Sequence, residues 1–178
     1  WTEHIGKPLS SVPAPPGSEH LNWAEHFKAP LITALAELGI EYRPISQTEM
    51  YTSGAYRDQI LLAMRERATI DAILGRYRTK KTEVDEDGPT KAGEYFPYKI
   101  YCETCGRDAT TITAYDDAST EATYTCDFGH GGSVRLNTFN DGKLVWKVDW
   151  PMRWAYEGVT FEPSGVDHTS PGSSYVVG

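Results

Sequence analysis

The chain has 178 residues, enough for one ordinary domain or a domain with a small insert. Apolar residues make up 39% of it, with five Trp and eleven Tyr, so there is material for a packed core and wholesale disorder is excluded. The formal net charge of −8 has the wrong sign for a generally basic nucleic-acid binder, so any RNA contact would need a local patch.

No apolar run approaches the roughly 20 residues of a membrane span, and the N-terminal Trp1-Thr2-Glu3-His4 has neither a basic nor an apolar leader region. Both ends read as cut, so the chain is expected to be a piece of a longer protein. Three Cys, an odd number without a secretory segment, argue against a disulfide framework and for a reducing cytoplasm.

Residues 1–20 are rich in Pro, Gly and Ser and read as an extended loop. Asn22 as N-cap, with Glu25 three residues on, opens a helix whose apolar stripe is Phe27, Leu31, Leu35 and Leu38, with Gly39 as its stop. Ile40 to Ile45 alternates like a short strand. Ser46 and Glu49 cap a short helical turn, and a long helix is predicted over 55–77. The charged run 79–93, nearly without apolar residues, reads as a mobile linker.

Beyond the linker the pattern becomes short β runs at 98–101, 110–115, 122–125, 133–136 and 143–148, separated by Asp-, Asn- and Gly-rich turns. The expected organisation is a helical α/β part over 1–93, a β insert over 94–145, and a segment at 146–178 that returns to the first part.

The sharpest local signal is Cys102-x2-Cys105 followed, twenty residues later, by Cys126-x3-His130. Thiolates plus imidazole at this spacing suit a closed, structural zinc site, and the β runs around both knuckles resemble a zinc ribbon. Gly106, Gly129, Gly131 and Gly132 give the backbone freedom to turn there. The bland alternative is a set of buried thiols beside an unrelated surface His. Four protein ligands leave no open position, so a catalytic zinc is not expected.

The stretch Trp146-Lys147-Val148-Asp149-Trp150-Pro151-Met152-Arg153-Trp154, continuing through Phe161-Glu162-Pro163-Ser164-Gly165-Val166-Asp167-His168, resembles the pocket segment of class I lysyl-tRNA synthetases. The Lys7 to Pro13 loop, the Ala24-Glu25-His26-Phe27 helix start and the four-ligand insert resemble the same family in the same order. The resemblance implies a Rossmann-type catalytic domain bearing a zinc insert. The implied chemistry is activation of lysine by ATP and transfer to tRNA-Lys, with no role for DNA or membrane.

Within that reading, Asp149, Trp150, Trp154, Asp167 and His168 are the expected substrate-binding residues. Trp150 and Trp154 offer walls for an alkyl stem or an ammonium, and Asp149 or Glu162 a carboxylate for a cation. Asp167 and His168 are expected after a strand at Val159 to Phe161, where α/β folds bind ligands. Gly172-Ser173-Ser174 is expected to open a helix toward an anion. On spacing alone, Trp146, Trp150 and Trp154 read as one buried helix face. Pro151 and the β-like run before it argue against one continuous helix.

Neither ATP signature of class I synthetases, HIGH or KMSKS, is found; His4-Ile5-Gly6 leads into a Pro-rich loop rather than a helix. The chain alone is therefore expected to be inactive. The alternatives are a non-catalytic synthetase-like paralogue that keeps zinc and pocket, and a plain zinc-ribbon adaptor, which the charge and the Trp-rich tail disfavour. Synthetases for glutamate share this class, and the Trp150 to Trp154 block is what favours lysine.

Overall fold

A computed structural model describes residues 1–77 and 94–178, and between them the backbone of 84–85 and 88–89. The linker expected at 79–93 lies outside the described residues, apart from a two-residue hairpin that pairs Val84–Asp85 (β1) with Gly88–Pro89 (β2).

The first helix, α1, runs Trp23–Glu37, and the Asn22 side chain accepts from the Glu25 amide at 2.9 Å, as the capping signal requires. None of its residues is buried. Phe27 and Leu31 on the apolar stripe are 59% and 62% exposed, so the stripe has no covering layer among the described residues. The strand expected at 40–45 does not form, because an extended segment becomes a strand only beside a partner and this one has none among the described residues.

Ser46 caps α2 (Gln47–Thr52) through the Glu49 amide. The long helix expected over 55–77 is two shorter ones, α3 (Arg57–Arg65) and α4 (Arg67–Gly75), separated at Glu66. Met64 and Ile60 on α3 face inward, and Arg67 at the break is held by Glu94 at 2.5 Å and by Asp117 at 2.9 Å.

All described strand pairs are antiparallel. β3 (Tyr98–Ile100) pairs with β7 (Gly142–Leu144), and β4 (Thr110–Asp116), β5 (Glu121–Cys126) and β6 (Gly131–Arg135) form a three-stranded sheet with a bulge between Ile112 and Ala114. Burial alternates along β5, with Ala122, Tyr124 and Cys126 inward, as a sheet with one wet face demands. These side chains join Ile100, Leu136 and Leu144, and with Tyr51, Tyr56, Ile60 and Met64 they form one hydrophobic cluster. Helices α2 and α3 thus share their core with the β layer.

The run 143–148 is a strand only to Leu144. From Trp146 to Glu157 it is a helix, α5, which contains Pro151. Pro151, the sixth of the twelve residues, forfeits the bond to the Lys147 carbonyl in mid-helix, and packing of the indole face outweighs that loss. Gly158 ends α5 at φ 65°, a left-handed stop that glycine adopts without strain. Val159 to Phe161 is irregular rather than a strand, since it has no partner. Val166–Thr169 is a single 3-10 turn, and Ser174–Val177 forms a last short helix, α6.

Candidate functional site

The two knuckles meet at one end of the β layer. β3 delivers Cys102, whose carbonyl accepts from the Gly106 amide at 2.7 Å while its own amide donates to the Arg107 carbonyl at 2.8 Å. This closes a tight loop that carries Cys105 inward, and Gly106 turns it at φ 68°. The second knuckle follows β5. The Cys126 amide donates to the His130 carbonyl at 2.8 Å, and Gly129, at φ 79°, donates to the Cys126 carbonyl at 3.0 Å. Both positive-φ turns need glycine, because a Cβ there crowds the backbone.

The result is that one ligand atom from each of Cys102, Cys105, Cys126 and His130 lies within 4.8 Å of every other. The Cys105 and Cys126 sulfurs are 3.8 Å apart, and the Cys102 sulfur is 3.7 Å from His130 Nδ1. Zinc–sulfur bonds of about 2.3 Å at tetrahedral angles set sulfur–sulfur edges of about 3.8 Å, so the donor set fits a tetrahedral metal of that size. Burial pushes the Cys102 thiol up, but the Cys105 and Thr104 amides and the facing thiols outweigh it and bring it to about 6. Burial raises the Cys126 thiol. Of the bland alternative, the buried thiols are present, but His130 is not unrelated to them, since its Nδ1 lies 3.7 Å from the Cys102 sulfur.

The second cluster is built on α5. Trp146, Trp150 and Trp154 do share one helix face: Trp150 stacks on Trp146 with centroids 5.1 Å apart and planes at 25°, and meets Trp154 at 5.1 Å. His168 and Tyr175 approach Trp150 edge-on at 5.2 and 5.4 Å, and Trp154 meets Tyr175 at 5.2 Å. Trp150 and Trp154 are part-buried rather than sealed in a core. Polar tips fix the rings. Trp154 Nε1 donates to Glu162 at 3.2 Å, Trp146 Nε1 donates to Ser174 Oγ at 3.1 Å, and the Tyr175 hydroxyl donates to the Glu162 carbonyl. A shallow cleft lies beside Trp154, Phe161, Glu162 and Tyr175.

Of the five expected pocket residues, the structure brings Trp150, Trp154 and His168 together. Asp167 sits beside His168, but its side chain is 80% exposed. Asp149 lies in the wall of a different cleft, between α2 and β7. Its side chain is 5% exposed, and it is ion-paired with Arg153 and accepts a hydrogen bond from the Tyr51 hydroxyl. The same hydroxyl accepts from the Leu144 amide at 3.1 Å. Burial pushes the Asp149 carboxyl up, against the opposing pull of Tyr51 and Arg153. Each of its two oxygens thus already has one partner, Tyr51 on one and Arg153 on the other. The expected anion site at Gly172 to Ser174 opens only the four-residue α6, too short for an appreciable end dipole.

Sequence reasoning missed Tyr51, which has no local signal because its partners lie 93 and 98 residues away. It also missed a cleft of about 210 Å³ between α2 and β7, lined by Thr48, Tyr51, Tyr101, Lys143, Asp149 and Arg153 among others.

The whole chain, residues 1–178, matches the family described as tRNA synthetases class I (K). It is 59% identical to a lysine–tRNA ligase of Streptomyces coelicolor, covering 100% of this chain and 35% of that protein. It is 42% identical to lysine–tRNA ligase 1 of Methanosarcina acetivorans (100% and 31% covered) and 39% identical to a lysine–tRNA ligase of Pyrococcus horikoshii (100% and 32% covered). The chain spans about a third of the length of these curated relatives. Sequence resemblance, the assembled four-ligand cluster and the family match agree, and the chain belongs to the class I (K) family of tRNA synthetases.

Proposed function

We propose that this chain is the metal-bearing and amino-acid-pocket part of a lysine–tRNA ligase, an enzyme that forms lysyl-adenylate from lysine and ATP with release of pyrophosphate and then transfers the lysyl group to tRNA-Lys with release of AMP. The carrying observation is the Trp150 cluster, in which Trp146, Trp154, His168 and Tyr175 surround one indole. Indole faces hold a methylene stem and attract an ammonium, and a lysine side chain offers both.

Trp150 and Trp154 form the wall, His168 closes one edge, and Asp167 borders it. Glu162, held against Trp154, is the carboxylate available to a substrate cation now that Asp149 is ion-paired. The parts at 1–93 and 146–178 belong, in this reading, to a Rossmann-type catalytic domain interrupted by a zinc-ribbon-like insert at 94–145. The antiparallel pairs beside the two Cys-bearing turns, β3 with β7 and β5 with β6, support the insert.

Cys102, Cys105, Cys126 and His130 would hold the metal, and zinc matches their sulfur-rich, tetrahedral spacing. Four protein donors make it a structural brace. Three free thiols suit a cytoplasmic setting, and no described helix is long and apolar enough to cross a membrane.

Lysine titration of the metal-loaded chain, read by Trp fluorescence, tests the pocket. Saturable quenching by lysine, abolished by Trp150→Ala and absent with glutamate, is expected. Identical responses to lysine and glutamate would overturn it.

A further inference from the structure

Asp149 is buried and ion-paired, and the reading above leaves it without a task. Its surroundings supply one. Asp149 and Arg153 are one turn apart on α5; the Asp149 side chain is 5% exposed, and the Arg153 side chain, 26% exposed, shares with it the wall of the cleft between α2 and β7. The Arg153 guanidinium carbon lies 5.9 Å from the centre of the Trp146 ring, over its face. Trp146 in turn stacks on Trp150. On the other side the Tyr51 hydroxyl bonds both Asp149 and the Leu144 amide of β7. A continuous line of contacts therefore runs from β7 and α2, through Asp149 and Arg153, to the indole stack.

We propose that Asp149 is a positioning residue: its carboxylate holds Arg153 over Trp146 and so fixes the Trp146–Trp150 stack that lines the amino-acid pocket. The proposal deepens the lysine-pocket reading and rests on it for its consequence, though not for its geometry. A planar guanidinium on an indole face is a directional contact, and an Arg freed from its carboxylate samples many rotamers. Loss of the carboxylate charge would take the guanidinium off the Trp146 face and let that ring tilt relative to Trp150 about its Nε1 bond to Ser174, with every pocket residue still present. The line also gives the β insert a mechanical route to the pocket, because the Leu144 amide and Asp149 share one hydroxyl.

The test uses Asp149→Asn, Arg153→Lys and the double variant in the metal-loaded chain, with two readouts at a temperature where all remain folded. The first is the far-ultraviolet exciton couplet of the stacked indoles, which reports their mutual orientation without any ligand. The second is the lysine dissociation constant. The expected result is a weakened couplet and about ten-fold weaker lysine binding in each single variant, with the double variant no worse than either, as members of one chain of contacts behave.

A merely structural Asp149 would lower the melting temperature and leave couplet and affinity at wild-type values, and that result overturns the proposal. Additive losses in the double variant would also overturn it. If the wild-type chain fails to bind lysine, the pocket reading falls, and the couplet alone still decides whether Asp149 and Arg153 orient the stack.

Discussion

Replacing Tyr51 by Phe removes a single oxygen and tests the polar centre of the fold. The hydroxyl donates to the Asp149 carboxylate and accepts from the Leu144 amide at 3.1 Å, and both contacts are buried. Burial, reinforced by the Asp149 charge, pushes the phenol far above its ordinary range, so it is a permanent donor. A hydrogen bond to a charged group contributes about 1.5–3 kcal/mol, and a buried N–H left without a partner costs about 1–3 kcal/mol. Partial relaxation overlaps the two, which gives about 3 kcal/mol for Tyr51→Phe.

In a chain of 178 residues that is a fall of roughly 6–12 °C in melting temperature. Urea unfolding of the metal-loaded chain, followed by circular dichroism, measures it. The internal control is Tyr56→Phe, whose hydroxyl bonds only Gln47, at 3.2 Å, and which should cost about 1 kcal/mol. Equal effects of the two substitutions, or a Tyr51→Phe loss below about 1 kcal/mol, would refute the claim that this hydroxyl ties α2, β7 and α5 together.

Cys126→Ser should reduce bound metal from one equivalent toward zero by atomic absorption, and amide exchange over 98–144 should accelerate while α1 is unaffected. A chelator should reproduce this in the wild type, and unchanged exchange after metal removal would contradict a structural role. Asp116 accepts from the Ser119 hydroxyl at 2.6 Å and from the Ala118 amide, which lowers its carboxyl below the ordinary value. Its support of the β4–β5 turn is therefore present above the unfolded-state value and is lost as pH falls through the lower folded value. Amide exchange at Ala118 and Ser119, corrected for intrinsic rates, should rise in that acid window and be flat in Asp116→Asn. Gly129→Ala places a Cβ at φ 79° and should cost about 1 kcal/mol with weaker metal retention, read by competition with a chromophoric chelator.

The elements written in local chemistry were legible. Asn22 with Glu25, Ser46 with Glu49, and the glycine-flanked Cys pairs each specify a short-range geometry, and the structure shows each one. The β runs of the insert were readable because one face is dry and burial alternates.

Failures came where the outcome depends on distant partners. Ile40 to Ile45 and Val159 to Phe161 have strand-like side chains and nothing to pair with. Lys143 to Val148 looked like one strand because Val and Trp suit sheets. Packing of Trp146, Trp150 and Trp154 instead makes a helix there, and it outweighs the mid-helix bond that Pro151 forfeits. Asp149 stood out by its place in the motif as a substrate-binding candidate, and its surroundings in the structure, Tyr51 above all, come from 98 residues away. No pattern in the chain announces that meeting.

The most direct test of the central claim is amino-acid-dependent ATP–pyrophosphate exchange by the full-length protein that contains this chain, with lysine set against glutamate and the remaining amino acids. The account predicts exchange with lysine alone, lost in Trp150→Ala while metal content stays at wild type. Exchange driven by glutamate, or no exchange with any amino acid in folded, metal-loaded protein, would contradict it.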